Sequence, residues 1–375
     1  MTTDAQVQVK LRSPADIIDA VPYLVGFEPH KSLVVLSLRG PRSRLGLTAR
    51  VDLPGPRSAT ACARNFVGYL KRDGAARAII VLYPPSDGIA YPSVKPLADA
   101  LIKQLTRARI EVSEVLCVCD GRWWSMQCTD AECCPPSGTL IARATTSELA
   151  VAMTVEGRVV LGSREELAHM LDPVGGLVAD AMAYAIPQVT LELVERRFTN
   201  RPVTEVLAEV AAESLELFRA AVQARLPKAL PVDGQAPGPR LADTDLELTV
   251  DEAARLIVAL DSFAVRDEVL TWFEGDWGDA TRVLLLELAR RSVLPYQAAA
   301  LTVFGWICYL QGEGVFAGIA ADRALTVDPD YSLAVLLDQV LSGAVNPAIL
   351  RDTIASPRVR AGTCAGDEPS ACAGD

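Results

Sequence analysis

The chain has 375 residues, half of them hydrophobic and 22% charged, with a formal net charge of −11 and a pI near 4.9. Such a length predicts two domains rather than one core, and such a composition is globular rather than disordered. The acidic balance opposes binding to nucleic acid and to anionic membranes, and the basic runs, such as 39–44 and 195–197, are short.

The first residues, MTTDAQVQVKLRSP, carry no apolar run and are not expected to act as a secretory signal. Residues 12–26 predict a helix capped by Ser13, with Pro14 at its first position, Gly26 at its end and a kink or early stop at Pro22. Residues 32–40 and 45–55 predict two strands of a hairpin turning around Gly40 to Arg44. A helix over 58–72, a buried strand over 76–85, a helix over about 93–109 and a strand over 111–120 follow, and Gly121 turns the chain into a returning strand over 122–128. Strands alternating with helices predict an α/β layer, and the opening hairpin makes its sheet mixed rather than purely parallel.

Beyond residue 145 the strand signals stop. Ser163 with Glu166 three residues on reads as a capping box, helical patterns run over about 188–226, and the segment from 246 to about 354 is helical again. The expected organisation is an α/β domain over 1–145, a helical connection over 146–226, a linker or exposed loop rich in Pro, Gly and Asp over 227–245, a helical repeat-like domain over 246–358, and a disordered tail over 359–375. The uncharged run from Ser292 to Gly312 is long enough for a bilayer, but Pro295, Gln297 and Gln311 favour a helix packed on protein.

Residues 301–333 resemble one tetratricopeptide repeat, with Gly305, Gly312, Ala317, Ala324, Leu325 and Pro329 at its small, apolar and stop positions. Gly305 and Ala317 let two antiparallel helices approach, Gly312 makes the turn and Pro329 ends the second helix. One repeat earlier only Gly278 and Pro295 keep the phase, so the region reads as a small bundle with repeat-like hairpins. Such hairpins either pack a core or offer a groove to a partner protein or peptide.

The densest chemistry lies in GRWWSMQCTDAECCPP, residues 121–136. Nine cysteines without an export signal suggest a reducing compartment, hence the cytoplasm, where clustered cysteines more often mean metal or redox chemistry than structural disulfides. Zinc takes four tetrahedral ligands, and Cys128, Cys133 and Cys134 with Cys119 from the preceding strand could supply them. Free thiols or a redox pair are the competing readings. Trp123 and Trp124 fall on opposite faces of a strand, one for the core and the other a candidate recognition surface.

Catalytic motifs are missing. Only His30 and His169 are present as histidines, and no zincin, nucleophile-elbow, P-loop or dinucleotide-binding motif occurs. Asp52 ends a strand, where ligands of open α/β sheets bind, with Arg50 on the same face. Asp16 and Asp19 read as solvated helix carboxylates. His30 and Asp52 are therefore candidate ligand-surface residues, and no catalytic residue is assigned.

The blocks RSPADIIDAVPYLVGFEPHKSLVVLSLRG, LGLTARVDLP, DGRWWSMQCTDAECCPPSGT and YLQGEGVFAGIAADRALTVDPDYSLAVLL occur in that order. Together they resemble an actinobacterial family of uncharacterised proteins, domain-of-unknown-function family 4192, over most of residues 11–350. The resemblance implies a cytoplasmic actinobacterial protein and no established activity. It also implies that Cys128, Cys133 and Cys134 are typical of the family and that Cys117 and Cys119 are less so. Two functions are expected in competition. One is a non-enzymatic interaction or regulatory protein with a zinc or thiol site. The other is an enzyme or small-ligand protein with its site at the strand ends near Asp52 and His30, the cysteine loop alongside.

Overall fold

A computed structural model describes residues 13–86, 90–141, 160–198, 200–226 and 248–354, so the expected linker at 227–245 and tail at 359–375 lie outside the described residues. Helix α1 (Pro14–Val25) starts as the sequence predicts: Ser13 Oγ accepts from Asp16 N at 3.2 Å, and Asp16 Oδ2 accepts from Ser13 N at 3.0 Å. Asp16 is thus the reciprocal half of a capping box, not a merely solvated carboxylate. Pro22 is tolerated inside the helix, which runs on until Gly26 ends it at φ 89°, in the left-handed region.

Six strands follow: β1 (Ser32–Arg39), β2 (Arg44–Asp52), β3 (Ala75–Tyr83), β4 (Glu111–Cys119), β5 (Arg122–Ser125) and β6 (Thr139–Leu140). They form one mixed sheet in the order β2-β1-β3-β4-β5-β6, in which only β3 and β4 pair parallel. The β4–β5 turn is Asp120-Gly121 with φ 49° and 71°. Two successive positive φ values are what a tight primed hairpin turn demands, and Asp-Gly meets that demand cheaply. β5 is shorter than its sequence pattern suggests, because the chain leaves the sheet after Ser125.

Strand alternation sorts the apolar residues into two layers. Leu33, Val35, Ile80, Leu82, Val115 and Cys117 face Phe66 and Leu70 of α2 (Ala59–Arg72) and Leu97, Leu101 and Leu105 of α3 (Ala90–Arg107). Val34, Leu36, Ile79, Val81, Leu116 and Val118 face the other way and share one continuous core with α1 and the later helices. Each fully buried Leu, Ile or Phe contributes roughly 1.5–3 kcal/mol.

Asp73, just past α2, ties the sheet edge together. Its carboxylate accepts from Ser37 Oγ at 2.5 Å, Arg39 Nε at 2.9 Å and Leu47 N at 3.0 Å. This explains Gly46, where any Cβ would collide with the Asp73 carboxylate and the Arg39 guanidinium. Asp73→Ala strands the buried Ser37 hydroxyl and the Leu47 N–H, so a loss of about 2–3 kcal/mol is expected in urea unfolding. A loss under half a kcal/mol would mean water replaces the carboxylate.

Ten helices make up the rest of the described chain: α4 (Arg164–His169), α5 (Gly176–Arg197), α6 (Val203–Arg225), α7 (Val250–Ala259), α8 (Phe263–Val269), α9 (Gly275–Arg291), α10 (Gln297–Gln311), α11 (Gly314–Val327), α12 (Ser332–Ser342) and α13 (Pro347–Ile354). The run expected over 188–226 is two helices, broken before Val203 by Pro202 in extended conformation, and the first of them starts twelve residues earlier than its pattern suggests. The uncharged stretch at 292–312 becomes α10, buried in protein at every residue from Ala298 to Leu310. α10 and α11 form a tight antiparallel hairpin turned by Gly312 at φ 90°. Gly305 is where they touch: a Cβ there would stand 2.8 Å from Leu337 Cδ2 and 3.2 Å from Ala320 Cβ.

Candidate functional site

The loop after β5 gathers three sulfur atoms. The Sγ atoms of Cys128, Cys133 and Cys134 all lie within 4.8 Å of one another, and those of Cys133 and Cys134 are 4.0 Å apart. Backbone bonds shape the loop: Cys134 N donates to Asp130 O at 2.8 Å, Glu132 N to Asp130 Oδ1 at 2.9 Å, and Gly138 N to Pro135 O at 2.8 Å. Trp124 anchors its far end, its Nε1 donating to Pro136 O at 3.1 Å with the indole lying against Gly138, whose φ of 76° and lack of a side chain admit the ring. Arg122 Nη1 donates to Gly138 O at 3.0 Å. Partial burial, then hydrogen bonds with the thiols of Cys128 and Cys133, push the Cys134 thiol up to about 12. A bound cation would reverse that preference, because metal-bound thiols are deprotonated.

Cys119 stands apart from this group. β5 runs antiparallel to β4, pairing Arg122 with Cys119 and Ser125 with Leu116, so the chain has moved about 10 Å along β4 from Cys119 before the loop begins. The Cys119 Sγ instead lies 3.8 Å from Pro85 O, at the carboxyl edge of the sheet. Cys117 is fully buried under α2 and α3, and burial pushes its thiol up to about 12. Four ligands from the strand and loop together, the sequence expectation, are not assembled. The seven described cysteines all carry free thiols. Trp123 and Trp124 do fall on opposite faces, Trp123 against the helical core and Trp124 against the α2–α3 layer, and both are half-buried.

The strand-end residues gather elsewhere. A cleft of about 470 Å³ is lined by Phe27, Glu28, His30, Lys31, Arg50, Asp52 and Leu53, and by Ser163, Arg164 and Glu165 from the start of α4. It lies where β2, β3 and β4 end, beside the β2 side of the sheet, while the cysteine loop hangs from β5 and β6 on the other side, so the two candidate sites are not neighbours. Arg50 sits over the Phe27 ring at 5.5 Å, donates from Nη2 to Ser32 Oγ at 2.8 Å and pairs with Asp52 Oδ1 at 2.8 Å. Burial lowers the Arg50 pKa, and Asp52 works against that. Glu165 is held below its ordinary value by hydrogen bonds from its own backbone and from Ser163, then by Arg164 and Arg50. The His30 ring is exposed, and its backbone oxygen accepts from Ser32 Oγ at 2.6 Å. His169 bonds through Nδ1 to Asp172 Oδ2 at 2.7 Å, and Asp172 also pairs with Arg323 at 2.6 Å, which makes His169 part of an inter-helix clasp.

Sequence reasoning missed Arg164 and Glu165 as cleft residues. They arrive through a parallel bridge between Phe27 and Leu161, a long-range contact whose local signal is only the Ser163 cap of α4, where Ser163 Oγ accepts from Glu166 N and Glu166 Oε2 accepts from Gly162 N.

A family model for a domain of unknown function, DUF4192, matches residues 14–348, from the first residue of α1 to the start of α13. The chain belongs to the DUF4192 family. The match takes in both the sheet and the helical region, so the cysteine loop and the cleft are both parts of a DUF4192 chain. Searches of curated proteins and of solved structures return no match.

Proposed function

We propose that this DUF4192 chain is a cytoplasmic interaction or regulatory protein whose exposed loop is stiffened by zinc. The observation that carries the reading is the convergence of Cys128, Cys133 and Cys134. A tetrahedral zinc with bonds of about 2.3 Å sets its sulfurs about 3.8 Å apart, close to the 4.0 Å between Cys133 and Cys134, so the donor set fits. Three thiolates would hold the ion, and the fourth position would take water or a group from a partner. Trp124 and Arg122 hold the loop to the sheet, so ordering the loop presents a fixed surface. Free thiols at every described cysteine support a reducing compartment. The repeat-like reading of 301–333 is supported by the close approach of α10 and α11 at Gly305.

The test is elemental analysis of protein purified without chelator or histidine tag, beside free-thiol titration. One zinc per chain is expected, lost in Cys128→Ser/Cys133→Ser together with order in the loop. Nine titratable thiols and no metal would overturn it.

A second reading rests on the strand-end cleft, where Arg50 and Arg164 line a polar hollow at the edge that serves ligands in open α/β sheets. It is a small-ligand site for a carboxylate or phosphate. Thermal-shift screening of such compounds should yield one that stabilises the wild type and not Arg164→Ala; equal shifts in both proteins, or none in either, would sink it.

A further inference from the structure

Helix α5 buries one side and leaves the other bare. Met182, Ile186 and Val189 are in the core. On the opposite side Leu177 is 87% exposed, Tyr184 72%, Leu191 53% and Phe198, just past the last turn, 85%. These four residues recur every seventh position, and Pro187 and Val194 follow Tyr184 and Leu191 by three. Seven-residue spacing with an apolar residue three further on is the seam that meshes with another helix, knobs into holes. Beside it runs an apolar groove of about 660 Å³ between α5 and residues 293–296, where Leu294 is also exposed. Soluble monomers rarely leave such a continuous apolar surface open.

We propose that this face is a homodimer interface, occupied by α5 of a second copy lying antiparallel. A two-fold interface needs a patch complementary to itself, and a heptad seam is one. Charge sets the direction. Asp180 interrupts the seam near the start of α5, and Arg197 closes the helix, so an antiparallel pair brings Asp180 beside the second copy's Arg197 at both ends. The helix dipoles also oppose one another favourably in that arrangement, whereas a parallel pair sets like charge beside like. Aromatic side chains bury about 150–250 Å² each. Two copies of this stripe would cover on the order of 1,200 Å², within the range of specific interfaces. The proposal is independent of the cysteine loop, which lies on β5–β6.

The test is the mass of the full-length chain by sedimentation equilibrium over micromolar concentrations. Two chains per particle are expected. Leu191→Glu should weaken association at least tenfold, which corresponds to about 1.4 kcal/mol, with an unchanged circular dichroism spectrum. Asp180→Arg should weaken it, and Asp180→Arg with Arg197→Asp should restore it; restoration is the signature of the antiparallel arrangement. A single-chain mass at every concentration overturns the proposal, and so does a dimer indifferent to Leu191→Glu. α5 is also long and apolar enough to cross a membrane by length and composition. A monomer that instead floats with phosphatidylcholine vesicles, and loses that binding in Leu191→Glu, would likewise overturn the dimer and assign the face to lipid. A monomer in which cutting within 142–159 newly exposes α5 to labelling would assign it to the chain itself.

Discussion

Glu287→Gln is expected to lower the unfolding free energy by about 3–5 kcal/mol. Glu287 stands between two arginines that have almost no other access to solvent: the side chains of Arg225, Glu287 and Arg291 are 4%, 9% and 2% exposed. Arg225 Nη2 pairs with Glu287 Oε2, and Arg291 Nη1 pairs with Oε1 at 2.8 Å while also donating to Leu248 O at 2.8 Å. The group therefore joins the end of α6, the last turns of α9 and the segment entering α7. Gln keeps the shape and removes the carboxylate charge that both buried guanidiniums bond. Urea unfolding followed by tryptophan fluorescence measures the loss, with the slope against denaturant unchanged if the unfolded state is unaffected. The exposed pair Arg196–Glu213 is the control, and its loss should cost under about 1 kcal/mol. A Glu287→Gln effect as small as the control's would mean that water reaches the group.

Phe304→Ala should cost about 3–5 kcal/mol by a different mechanism. Phe304 is fully buried on α10 and meets Phe316 of α11 edge to face, ring centroids 4.9 Å apart. Removing it deletes transfer energy and that contact, and it leaves a cavity that the neighbours cannot close. Gly305 next door is the point where α10 and α11 touch, so the backbones are already as close as they can be. Phe304→Leu, which keeps most of the volume, should lose less than half as much. Equal losses for both variants would mean that the aromatic geometry, not the filled volume, carries the stability.

Several features were legible because they are local. The capping box at Ser13, the Ser163 cap and the turn at Gly121 depend only on residues within a few positions of one another; at Ser163 only half of the expected box forms, because Glu166 accepts from Gly162 N rather than Ser163 N. The grouping of Cys128, Cys133 and Cys134 was legible for the same reason, since the last lies only six positions after the first. Cys119 was misplaced because its relation to the loop depends on the β4–β5 register and on which end of β4 the loop faces. The return at Gly121 sends the chain away from Cys119, and sequence spacing does not say so.

The sequence by itself determined the mixed α/β sheet, the helical second half, the approximate bounds of the elements up to β4 and the cysteine group, because period, caps and turn chemistry act within a turn or two of backbone. Only the tertiary structure decided which elements meet. It set Arg164 and Glu165 beside Asp52 across more than a hundred residues, buried Arg225 and Arg291 around Glu287, and left one face of α5 bare. These outcomes depend on chain closure over long separations, where the free energy comes from packing and desolvation that no local pattern encodes.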